Sequence, residues 1–135
     1  MKKIELLQSV ALFWDLSEAE LGYISEKMIS RHYESGKFIF LEDSEGEQCF
    51  FVVQGSVKVT RLSKDGREVI LAMLNEGEFF GEMALLDGES RSANVIALEE
   101  TEVLTLNRED FLVVLQDYPQ IAIQLLKEMA DRLRK

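Results

Sequence analysis

Gly81-Glu82-Met83-Ala84-Leu85-Leu86-Asp87-Gly88-Glu89-Ser90-Arg91-Ser92-Ala93-Asn94-Val95 is the stretch around which this chain is organised. A glycine opens a short helix-forming run, a second glycine ends it in a turn, and an arginine between small residues leads into a strand. The amides of a helix's first turn have no partner inside the helix and attract an anion. A guanidinium returning to the same spot grips phosphate oxygens in a fork. Ser90, Ser92 and Ala93 leave space around Arg91 that large side chains would fill. Glu82, at the start of the same turn, is placed to accept hydrogen bonds from a sugar hydroxyl. A phosphate clamp and a hydroxyl clamp thus lie side by side.

Around this loop the texture is β. Phe38–Leu41, Phe50–Val53, Val57–Leu62, Val69–Leu74, Asn94–Leu98 and Val103–Leu106 are short runs rich in β-branched and aromatic residues, and each predicts a strand. Asp65-Gly66, between Val59–Leu62 and Val69–Leu71, predicts a two-residue hairpin. Many short strands with regular turns predict a sandwich or jelly-roll barrel. The ends of the chain read as helix. Leu6, Leu7 and Val10 recur at helical spacing within Ile4–Phe13. Ser17 and Glu20 form a capping box, after which Leu21, Ile24 and Met28 mark a buried face. Trp14, between those two helices, reads as a core anchor. Past Leu106, Asn107-Arg108-Glu109-Asp110 caps a helix, and Asp117-Tyr118-Pro119 breaks it and starts another. In this last helix Ala122, Leu126, Met129 and Leu133 fall at spacings of 4, 3 and 4, a heptad-like seam that Leu125 widens. The pattern leaves open whether that seam packs on its own barrel or on a second copy.

Composition narrows the function. The 135 residues suffice for one domain with a proper core, and a 47% hydrophobic share excludes a disordered chain. No apolar run approaches the ~20 residues of a membrane span, and no secretory leader is evident, so a cytoplasmic location is expected. The single Cys49 cannot form an internal disulfide, and it reads as a small buried hydrophobe. With 25 acids against 15 bases the net charge is −10, whereas nucleic-acid binding needs a basic surface. This polypeptide is therefore not expected to bind DNA itself. The acids bunch at Glu42, Asp43, Glu45 and Glu47 and at Glu99, Glu100 and Glu102, which read as solvated loops. Because salt screens the net field beyond ~8 Å, affinity for an anion must come from local geometry. One histidine, His32, with no Ser–His or Cys–His pair, speaks against nucleophilic or metal catalysis and leaves a cupin-type metalloenzyme as the lesser alternative.

The quoted stretch resembles the phosphate-binding cassette of the cyclic nucleotide-binding domain family: Gly-Glu-apolar-small, a variable loop, then Arg with a small or hydroxyl residue. His32–Phe40 and Phe50–Val57 are similar to the family's flanking segments, and the resemblance runs from roughly residue 10 to the end. It is strongest to the sensor domains of bacterial cAMP receptor protein and FNR-type transcription regulators. The resemblance implies a mainly β fold with flanking helices, a double-stranded β-helix (jelly-roll) barrel. It places the jelly roll at about 30–107 of a single sensor domain, 1–135. Short helices precede it, and a C-terminal helical segment at about 108–135 contains a dimerisation helix and stops before any helix-turn-helix.

It implies a ligand rather than a cofactor: cAMP ahead of cGMP, with no enzyme activity, no membrane, a homodimer through the last helix, and a relay to a DNA-binding domain outside this chain. Arg91 would hold the cyclic phosphate, against a plainer reading as a solvent-exposed arginine paired with Asp87 or Glu89. Glu82 would accept from the ribose 2′-hydroxyl, against a reading as a dipole-stabilising carboxylate. Gly81 and the amides around Glu82, Met83 and Ala84 would complete the cradle, and Ser92 would add a hydroxyl. Val59, Leu71 and Leu74 would line the nucleotide as well as the barrel wall. Arg132 would reach the cassette from the last helix, where it otherwise reads as a solvated arginine. His32 carries no chemistry in this scheme. Two departures stand out. Glu42-Asp43 replaces a family glycine, which requires a left-handed aspartate, and the chain stops before the helical stretch that supplies purine contacts. The same fold also senses other effectors, which keeps a non-nucleotide ligand, or a plain dimerisation module, as the alternative.

Overall fold

The computed structural model describes residues 2–8 and 10–134, except the side chains of Lys2 and Lys3. Among the described residues eight strands form two antiparallel sheets. One sheet runs β1 (Ile29–Tyr33), β8 (Thr101–Asn107), β3 (Gln48–Gln54) and β6 (Phe79–Phe80); the other runs β2 (Phe38–Phe40), β7 (Asn94–Ala97), β4 (Val57–Leu62) and β5 (Glu68–Leu74). The mainly β jelly-roll class read from the sequence holds, with two facing sheets rather than a continuous closed barrel. Helices α1 (Lys2–Leu7), α2 (Glu18–Ser25), α4 (Arg108–Asp117) and α5 (Pro119–Arg134) flank the sheets, and α3 (Glu82–Asp87) sits between β6 and β7.

The alternation of β3 builds two cores at once. Phe50 and Val52 point between the sheets, with Val57, Leu74, Phe80, Val95 and Val103. Cys49, Phe51 and Val53 point towards the helices, where Leu7, Phe13, Ile24, Leu104, Phe111, Ile121 and Leu125 meet them. A strand buried on both faces explains the unbroken apolar run that marked it in the sequence. Cys49 is buried as expected, and burial pushes its thiol pKa far up, which makes it inert.

Four local expectations change. The helix read over Ile4–Phe13 ends at Leu7; Val10 is extended, and Ala11–Phe13 form a 3₁₀ turn, while Ser9 lies outside the described residues. That turn directs Leu12 and Phe13 inward, so Phe13 packs on Phe51 (centroids 5.2 Å apart) and Trp14 is left 68% exposed instead of anchoring the core. The hairpin loop is wider than two residues. Its last strand pair is Leu62 with Glu68, and Ser63 N donates to Arg67 O while Gly66 N donates to Ser63 O, with Gly66 left-handed. A β-turn closed by a left-handed glycine fits the strand twist as well as the shorter loop would. In α5 the seam divides: Ile121 and Leu125 are buried and Met129 packs beside them, whereas Leu126 (67%) and Leu133 (88%) face outward. The outward stripe is Ile123, Leu126, Ala130 and Leu133, at spacings of 3, 4 and 3.

Other readings hold. Ser17 and Glu20 make the reciprocal capping box, Asn107 accepts from Asp110 N at the head of α4, and Asp43 is left-handed, with φ 70°. His32 lies exposed on β1 beside Glu100.

Candidate functional site

Gly81 opens α3 in the left-handed conformation, φ 85°. A side chain there would meet Arg91 Nη1 at 3.0 Å and both Gln48 O and Phe50 at 3.2 Å, so backbone angle and close approach both require glycine. Gly81 has no side chain with which to cap the helix, so the first-turn amides receive no side-chain cap. Seven residues on, the chain turns at Gly88 and returns through Ser90 to Arg91, whose backbone bonds Ser44 O and Asp43 N.

The Arg91 side chain folds inward and is 5% exposed. Nη1 donates to Gly81 O at 2.8 Å and Nη2 to Gln48 O at 2.6 Å, while the buried Nε has no partner among the described residues. The guanidinium carbon stands 4.1 Å from the centroid of Phe40 and 5.7 Å from that of Phe50, which stacks on Phe80 at 4.9 Å. Asp87 does not pair with it: Oδ1 of Asp87 accepts from Glu89 N instead. Among the described residues the partners of Arg91 are neutral carbonyls and aromatic faces, so its charge is held in a dry setting without a bonded carboxylate. Burial lowers its pKa, an effect that Glu82 opposes. A guanidinium so far above neutrality stays charged regardless.

Glu82 is 4% exposed. Burial raises its pKa, while its own backbone bond, Arg132 and Arg91 pull it back. Arg132 reaches across from the last turn of α5: Nη1 lies 3.3 Å from Glu82 Oε2, Nη2 donates to Phe79 O at 2.8 Å, and the head group sits 4.5 Å from the Phe79 ring centroid. Helix α5 is thereby bonded to the first residue of α3.

Between these groups and the β4–β5 hairpin lies a cavity of about 650 Å³, a size typical of small-molecule sites. Gly81, Glu82, Met83, Ala84, Arg91 and Ser92 line one side, Val59, Leu71 and Leu74 another, and Arg132 a third, so every candidate residue from the sequence meets in one place. Leu74 is buried and Leu71 half-exposed at the mouth. Sequence reasoning passed over Phe40, Gln48 O and Gly46. A Cβ on Gly46 would lie 2.4 Å from Ala84 Cβ and 2.9 Å from Arg91 Cζ. The available signal was a glycine set between Glu45 and Glu47, whose exposed acids disguised a buried backbone. Among the described residues no group of three or more His, Cys, Asp or Glu could hold a metal ion, and no helix is long and apolar enough to cross a membrane.

A glycine-flanked helical turn and a buried arginine beside a cavity in a jelly roll define a cyclic nucleotide-binding domain, and that family's model matches residues 30–118. The chain belongs to the cyclic nucleotide-binding domain family. It is similar to the cyclic AMP receptor protein of Thermus thermophilus, with 40% identity over 124 residues, 92% of this chain and 57% of that protein. The crystal structure of the Thermus thermophilus catabolite activator protein matches with a TM-score of 0.84 at 40% identity, covering 91% of this chain and 58% of that one. A cGMP-dependent protein kinase of Caenorhabditis briggsae, egl-4, is 39% identical over 135 residues, 97% of this chain but 17% of the kinase. The chain thus spans little more than half of the receptor protein and a small part of the kinase.

Proposed function

We propose that this chain is a non-enzymatic, cytoplasmic sensor domain that binds a cyclic nucleotide, cAMP ahead of cGMP, in the cavity between the cassette and the β4–β5 hairpin. The observation that carries the reading is Arg91: a buried guanidinium whose Nε has no partner among the described residues, held by neutral groups at the wall of a cavity that Glu82 also lines. Arg91 and the first-turn amides of α3 take the cyclic phosphate, with Ser92 beside them. Glu82 takes the ribose 2′-hydroxyl, and Val59, Leu71 and Leu74 supply the apolar wall. A carboxylate already bonded to Arg132 is not idle before the ligand arrives. The sugar hydroxyl competes with or shares that partner, and this links the cavity to α5. The ligand shifts α5 only as far as it binds the two arrangements differently.

The relay then passes along α5 to a DNA-binding domain outside this chain. The exposed stripe Ile123, Leu126, Ala130 and Leu133 supports a homodimer through α5. A second reading, the same fold sensing a non-nucleotide effector, draws on the bonds that Arg91 already makes to two carbonyls.

The test is thermal unfolding with added nucleotide. At a concentration 100 times Kd, binding stabilises the fold by ~2.7 kcal/mol, roughly a 5–15 °C rise in Tm for a domain of this size. Arg91→Ala abolishes the rise. A rise of wild-type size in that variant rules out the assignment.

A further inference from the structure

Arg108 opens α4, and among the described residues its side chain bonds backbone carbonyls rather than an acid. Nη2 donates to Ala84 O of α3 at 3.0 Å and to Gly46 O of the β2–β3 loop at 3.2 Å, while Nε is buried and without a partner among the described residues. Its own amide donates to Glu47 O, next along the same loop. Three segments distant in sequence therefore meet at one guanidinium: the loop over Arg91, the helix that carries Glu82, and the first turn of α4. Contact there is tight, since Gly46 has no room for a Cβ between Ala84 and Arg91. Arg108 also stands close enough to Arg91 to act on its charge. From this point α4 runs into α5 through a shared core of Phe111, Val114, Ile121 and Leu125.

We propose that Arg108 is a positioning residue that fastens α3 and the Gly46 loop to the head of α4, so that α3 and the α4–α5 segment move as one body when the cavity fills. Arg132 ties the far end of α5 to Glu82; Arg108 ties the near end of the helical segment to the same short helix. With both ends attached, a displacement of α3 cannot be absorbed by slack at the α3–α4 contact. The movement rests on the cyclic-nucleotide reading of the cavity, whereas the fastening does not.

Hydrogen exchange of the whole chain, with and without cAMP, tests both parts in wild type, Arg108→Ala and Arg108→Lys. The capped start of α4 survives the change, because Asn107 and the amide of residue 108 keep their bonds. Without ligand, Arg108→Ala speeds exchange in α3 and residues 44–48 by about five- to thirtyfold relative to β3 and β8, the factor for one or two net hydrogen bonds. Arg108→Lys, whose ammonium lacks the fork, restores part of that protection. Exchange in α3 at the wild-type rate, or accelerated only in step with β3 and β8, overturns the fastening. With cAMP saturating, as verified by calorimetry, wild type changes protection in α5, and Arg108→Ala protects α3 with a smaller change in α5, because the Arg132–Glu82 link remains. A full α5 response in Arg108→Ala at equal occupancy overturns the coupled movement. Failure of the wild type to bind any cyclic nucleotide removes the proposed ligand, and the ligand-free comparison still decides the fastening. If Arg108→Ala does not fold, the lysine variant carries the same comparison.

Discussion

Replacing Arg132 by alanine removes a guanidinium that joins α5 to the cassette through Glu82 and Phe79 O. The Glu82 side chain is 5% exposed, so its carboxylate would stay in a dry site without its α5 partner. Breaking a fully buried pair costs ~3–5 kcal/mol. Arg132 is partly exposed, and solvent screening brings the expected loss in the ligand-free protein to about 1–2 kcal/mol at pH 8. The loss depends on pH in a definite direction. Burial raises the Glu82 pKa and Arg132 opposes that rise, so the variant carries Glu82 higher still. A folded-state pKa above the unfolded value gives stability that is full below the ordinary glutamate value and is lost as pH rises through the raised one. The variant loses more of it than wild type does. Urea unfolding should therefore show a small difference at pH 5, reflecting the Phe79 bond, and a larger one at pH 8. Glu128 and Asp131 of α5 line the same cavity, so the comparison is repeated in a Glu82→Gln background, where the pH dependence of the difference disappears. An equal loss at both pH values, or unchanged growth with pH in that background, refutes the electrostatic account of this contact.

Gly46→Ala, with a Cβ 2.4 Å from that of Ala84, should lower stability by about 1–3 kcal/mol through overpacking. It should also weaken nucleotide binding, because the loop backs Arg91; an unchanged urea midpoint contradicts that packing. Leu126→Glu, on the exposed stripe of α5, should turn a sedimenting dimer into a monomer with an unchanged fold, and monomeric wild type at high concentration removes the dimer proposal.

The meeting of the candidate residues around one cavity was legible because the cassette states its geometry in residue type. Gly81 stands where the turn leaves no room, Gly88 where the backbone turns left-handed, and small residues surround the cassette's one arginine. The strands were legible from β-branched and aromatic runs, and the helix heads from Ser17, Glu20 and Asn107. Contacts between segments far apart in sequence were not. Nothing in Gln48 or Gly46 announces that their backbone closes over Arg91, and Arg108 reads as an ordinary first-turn residue until Ala84 O is found beside it. Trp14 was misplaced because a 3₁₀ turn interrupts the helical period, so that its neighbour Phe13 goes inward instead. The seam of α5 divided for a related reason. That helix is apolar along two stripes, and only the position of the sheet selects Ile121 and Leu125 as the inner one.

Calorimetric titration of the ligand-free chain with cAMP, cGMP and 2′-deoxy-cAMP tests the central claim most directly. The account predicts one cAMP per chain, weaker cGMP, and at least about tenfold weaker binding of the deoxy analogue, which has no hydroxyl to donate to Glu82. Equal affinity for cAMP and its deoxy analogue, or no binding of any cyclic nucleotide at millimolar concentration, would contradict it.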